Sequence, residues 1–147
     1  MNIKDALVGV GRLFLDTAPI IYHVEGNPAY QPLTDTIFQQ IQNGVPEAVT
    51  SSVTLAECLV HPYRHNDLLL VQKFRSVITK GIHTQYIGVD ASAEHAAELR
   101  ARYNLTLTDA FQIAAALAAG CDAFLTNDTT LERVTEISIL LLDNLEV

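Results

Sequence analysis

The sequence predicts a three-layer α/β/α sandwich built on a central parallel sheet of about four to five strands. Three observations point there. Short apolar runs of strand character alternate with amphipathic helical runs along the whole chain; helices separate the strand candidates throughout, which implies parallel pairing by crossover; and the helix Ala110 to Ala119 has almost no polar face, so other elements must cover it. With 147 residues, 49% of them hydrophobic, the chain fits a single domain, residues 1–147, that buries a core without disulfides.

Taken in order, Arg12 to Thr17 (RLFLDT) reads as a buried strand, and Pro19 then suits the first turn of a helix through Ile20, Ile21 and Tyr22. Gly26, Asn27, Pro28 and Pro32 mark a loop, after which Leu33, Ile37, Phe38 and Ile41 recur at helical spacing up to Gly44. Glu47 to Ser52 (EAVTSS) is a second strand. The helix after it carries Val53, Leu55, Ala56, Leu59 and Val60 and is expected to end at Pro62. Another helix runs from about Asp67 to Lys80, where Gly81 stops it. His83 to Val89 is a third strand, and Asp90 is expected to cap a helix from Ala91 to Tyr103. Asp109 opens the alanine-rich helix, Ala123 to Asn127 (AFLTN) is the fourth strand, and Ser138 to Leu142 (SILLL) is the last.

A formal charge of −8 and a pI near 4.9 exclude a broad basic surface of the kind that holds nucleic acid by counterion release. A phosphate-bearing ligand would have to be captured locally. Cys58 and Cys121 lie far apart without metal-binding spacing and read as free buried thiols, in keeping with a cytoplasmic protein. No signal peptide or membrane-spanning run is expected.

In parallel α/β sheets ligands bind beyond the carboxyl ends of the strands, where strand order reverses. Four acids meet that demand. Asp16 ends the first strand, though an Asp there also caps a helix. Glu57 lies one turn into its helix if that helix starts at Ser51 or Ser52; Thr54 to Glu57 also spells a capping box that would tie the glutamate to the backbone. Asp109 sits in a first turn favourable to an acid, and Asp128 follows the fourth strand, with Thr129 to Glu132 as a rival capping box. Four carboxylates within ~5 Å would repel by roughly 3 kcal/mol per pair at an effective dielectric near 20. A hard divalent cation offsets that, and oxygen-only ligation points to Mg²⁺ or Mn²⁺ rather than zinc.

The motifs FLDTAPIIY, SSVTLAECLV, LTDAFQIAAAL and FLTNDTTL, each holding one of these acids, resemble the four acidic motifs of PIN domains, and most closely those of VapC-type toxin ribonucleases. The resemblance covers essentially the whole chain. It implies an endoribonuclease dependent on Mg²⁺ or Mn²⁺, with Asp16, Glu57, Asp109 and Asp128 as catalytic and metal-binding residues. It further implies a homodimer and an antitoxin partner whose tail occupies the acidic groove. Thr126 and Asn127 match the family's polar lead-in to the last acid and, with Thr17, are candidates to orient substrate or water. Leu131 stands where many relatives have an aromatic residue. The acidity leaves RNA capture to a few cations such as Arg12, Arg64, Lys73, Arg75, Arg100 and Arg102, of which Arg64, close behind Glu57, is the preferred phosphate contact.

Other readings fit less well. A haloacid-dehalogenase-type phosphatase needs a second acid where this chain has Ala18, and a receiver domain needs paired acids and a late lysine that are lacking. The serious rival is a PIN-like module that binds RNA or protein without cutting. Asp90, Asp122 and Asp143 read as loop or cap residues, and the five histidines share no ligand spacing.

Overall fold

The computed structural model describes residues 1–147. Five strands form one parallel sheet in the order β3-β2-β1-β4-β5: β1 Arg12–Leu15, β2 Glu47–Ser51, β3 Thr84–Ile87, β4 Ala123–Thr126 and β5 Ser138–Leu141. Strand order therefore reverses between β1 and β4, and the predicted α/β/α sandwich is observed.

Alternation along β1 divides the core. Leu13 and Leu15 point to one face, where α1 (Ile3–Ala6), α2 (Thr17–Glu25), α3 (Gln31–Gln42), α4 (Ser52–Arg64) and α5 (Leu68–Lys80) pack through residues such as Ile20, Ile37, Cys58 and Phe74. Phe14 points to the other, stacked on Phe124 of β4 with ring centroids 4.9 Å apart. There α6 (Ala93–Tyr103) and α7 (Leu107–Ala118) cover the sheet. Ile113 and Ala114–Ala116 of α7 are wholly buried, as its composition requires. No helix is long and apolar enough to cross a membrane.

The differences from expectation have local causes. Each strand stops one to two residues early; in β1 this is because Asp16 leaves the sheet to cap α2, and in β2 because Ser51, the last residue paired in the sheet, also caps α4. His83 adopts a left-handed φ of 50°, so β3 begins at Thr84. Pro62 does not end α4: its ring is buried and the helix continues to Arg64. Asp90 does not cap α6; it opens a separate 3-10 turn, Asp90–Ser92. The short helix α1 escaped the sequence reading, since four residues carry no period.

Candidate active site

Each acid is placed by its own local rule. Asp16 leaves β1 and caps α2, its Oδ1 accepting from the Thr17 backbone N–H at 2.9 Å. Its Oδ2 accepts from the Thr126 hydroxyl at 2.7 Å, across the reversal point between β1 and β4. The same buried hydroxyl accepts from the backbone N–H of Asp128 at 3.1 Å, so one threonine ties two acids together. Asp128 caps the 3-10 turn Thr129–Arg133: its Oδ1 accepts from the N–H and hydroxyl of Thr130, at 2.9 and 2.8 Å.

Ser51 caps α4 by accepting from the N–H groups of Val53 and Thr54, both at 3.2 Å. The helix thus starts early enough to leave Glu57 in its second turn, free of any capping box. Glu57 instead accepts from the Thr17 hydroxyl at 2.8 Å. Asp109 is the third residue of α7, where its N–H donates to the cap Thr106 at 3.2 Å.

All four acids line one open cleft of about 450 Å³, and neither Lys nor Arg lines it. Asp16 is 8% exposed, and its carboxyl is pushed up to about 6, chiefly by burial. Hydrogen bonds from Thr126 and Thr17 pull the other way, while the charges of Asp109 and Glu57 add to the rise. Burial also raises Asp109, with Asp128 and Glu57 contributing. A larger groove of about 660 Å³ near Lys4, Asp35 and Gln39 brings together no comparable set of acids, so volume alone does not mark the site.

The tight four-acid cage imagined from sequence is not present: no three acidic, His or Cys side chains are grouped closely enough to enclose an ion directly. The donor chemistry nevertheless fits Mg²⁺ or Mn²⁺. Thr17 engages one oxygen of Glu57 and Thr130 one oxygen of Asp128, which leaves each carboxylate a second oxygen. Such ions keep several waters and need only one or two direct carboxylates. Neither Cys58 nor Cys121 lines the cleft, and burial pushes both thiols up to about 12.

The remaining candidates fare unequally. Thr17, Thr126 and Asn127 line the cleft, but the two threonine hydroxyls hold acids. Asn127 donates to the Tyr30 hydroxyl at 3.1 Å and accepts from the Asp143 N–H at 3.2 Å. Arg64 does not line the cleft; it stands seven residues beyond Glu57, about 10 Å along the helix. The sequence reading missed Gln112, wholly buried one turn after Asp109. Its carboxamide oxygen accepts from the Ser51 hydroxyl, its Nε2 donates to Thr54 Oγ1 at 2.6 Å, and Thr54 donates to the Leu15 carbonyl at 3.4 Å. That network joins the helix starts of Glu57 and Asp109 to the strand end of Asp16. A lone glutamine on an otherwise apolar helix was the available signal.

A search of curated proteins finds no match to this sequence. Solved structures do match. VapBC2 from Rickettsia felis, bound to a DNA fragment from its promoter, superposes over 88% of this chain and 98% of its own at TM-score 0.68 and 16% identity. VapC20 from Mycobacterium tuberculosis, described as a sarcin–ricin loop cleaving toxin, covers 85% and 98% at TM-score 0.65 and 15% identity. DNA-bound VapBC from Salmonella typhimurium covers 89% and 98% at TM-score 0.64 and 21% identity. At these identities the likeness is one of fold. The sequence model of the PIN domain matches residues 13–137, which is most of the length and spans all four acids, and this chain therefore belongs to the PIN domain family.

Proposed function

We propose that this chain is a Mg²⁺- or Mn²⁺-dependent endoribonuclease and the toxin of a toxin–antitoxin pair. One observation carries the enzymatic part: four carboxylates from separate elements share a cleft that contains no protein cation. A scaffold that only binds has no use for that repulsion, whereas a divalent ion relieves it. The toxin assignment leans on family membership and on the likeness to toxins such as VapC20 and to VapBC complexes.

When bound, the ion supplies Lewis acidity toward water and phosphate oxygen. Asp16, Asp109, Asp128 and Glu57 are the residues to hold it. Thr126 and Thr17 keep Asp16 turned into the cleft, and Thr17 orients Glu57 with its hydroxyl. Without a cationic wall, these side chains leave the substrate phosphate no other neutralising partner. A homodimer and an antitoxin that covers the acid cleft complete the proposal.

The test is cleavage of structured RNA by purified protein. Activity is expected with Mg²⁺ or Mn²⁺, and none in EDTA or in Asp109→Asn. Cleavage that survives both treatments rejects the mechanism, and RNA binding without any cleavage favours the non-catalytic module.

A further inference from the structure

A cleft lined by acids and lacking Lys or Arg cannot draw in a polyanion by charge, so another contact must hold the RNA. The cleft wall offers one. Tyr22, half-buried on α2, stacks on Tyr30 with ring centroids 4.2 Å apart and planes within 8°. Tyr30 is braced from behind: its hydroxyl donates to Asp143 at 2.8 Å and accepts from Asn127 at 3.1 Å. Asn127 is itself fixed by the Asp143 backbone N–H at 3.2 Å and lines the same cleft. Asn127 at the end of β4 and Asp143 in the turn after β5 thus converge on the Tyr30 hydroxyl, while Tyr22 of α2 covers the ring. Both rings pack at the edge of the core, and the clamp on the hydroxyl secures the Tyr30 ring and with it the tilt of Tyr22, which lines the cleft.

We propose that the Tyr22–Tyr30 pair is a nucleobase platform: an unpaired base of the RNA stacks on it and sets the adjoining phosphate against the carboxylates. The inference rests on the nuclease reading for the role of the phosphate, but not for the stacking. Every base has a π-face, and single-stranded RNA is held by such aromatic surfaces. A pre-stacked, hydrogen-bonded pair loses little freedom when a third ring is added.

The experiment uses a short oligoadenylate with one adenine replaced by 2-aminopurine, bound to the full chain in EDTA so that metal-dependent cleavage is off. Wild type and Tyr22→Phe should bind and quench the fluorophore. Tyr22→Leu should lose the quench and bind about 5- to 150-fold more weakly. Removing the base at the quenched position should weaken wild type by a similar factor and Tyr22→Leu by no more than about twofold, as for one shared interaction. Full quenching by Tyr22→Leu overturns the platform, as does wild type indifferent to the missing base. The latter comparison needs no variant and decides the matter should Tyr22→Leu fail to fold. A protein that cleaves RNA with Mg²⁺ yet never quenches keeps its activity and loses the platform; quenching without cleavage does the reverse.

Discussion

Replacing Asp16 by Asn should make the metal-free protein more stable, increasingly so as pH rises. The carboxyl moves from 3.8 to about 6 on folding, so the native state holds its proton more tightly than the unfolded chain. Below pH 3.8 both states are protonated and the site costs nothing. Between 3.8 and 6 the unfolded chain ionises first and stability falls; above 6 the penalty is constant. A shift of roughly two units corresponds to about 3 kcal/mol. Burial of Asp16 justifies the conversion, since solvent screens it little. Asn keeps the shape and lets the Thr126 hydroxyl accept instead of donate. Urea unfolding in EDTA, followed by circular dichroism because the chain has no Trp, should show the Asn variant gaining about 1 kcal/mol at pH 4.5 and about 3 at pH 7.5. Saturating Mg²⁺ should stabilise wild type more than the variant. A difference that stays flat with pH, or shrinks as pH rises, refutes the reasoning.

Three further substitutions probe the supports of the site. Thr126→Val removes a donor to Asp16 and an acceptor for the Asp128 N–H; it should cost about 1–3 kcal/mol in unfolding titrations and lower kcat more than it raises KM. Gln112→Leu takes the acceptor away from the buried Ser51 hydroxyl and a donor away from Thr54, which keeps its bond to the Leu15 carbonyl, so a loss of about 1–3 kcal/mol is expected, together with weaker Mn²⁺ binding by calorimetry as Glu57 and Asp109 lose their common anchor. Arg64→Ala should leave kcat/KM for RNA within about twofold, because the residue stands outside the cleft; a drop above about tenfold would restore it as a phosphate contact.

The sheet was legible because buried strands and helices write different periods into the chain. The acids were legible because parallel α/β topology sends strand ends and helix starts to one edge, where Asp16, Glu57, Asp109 and Asp128 line one cleft. What pairs with what was not. Thr126 bonding Asp16 spans 110 residues, and Gln112 reaching Ser51 spans 61; neither leaves a local pattern. Asp143, read as a simple loop residue, holds the hydroxyl of Tyr30, a contact between chain segments 113 residues apart. The spread of the carboxylates was also hidden, since topology gives the edge at which they meet but not their separation.

Anomalous diffraction from crystals soaked in Mn²⁺ addresses the central claim most directly. The account predicts a peak inside the cleft at about 2.1 Å from oxygens of at least one or two of Asp16, Glu57, Asp109 and Asp128, with water completing the shell. An empty cleft at Mn²⁺ concentrations that support cleavage, or a peak bound only elsewhere on the molecule, would contradict it.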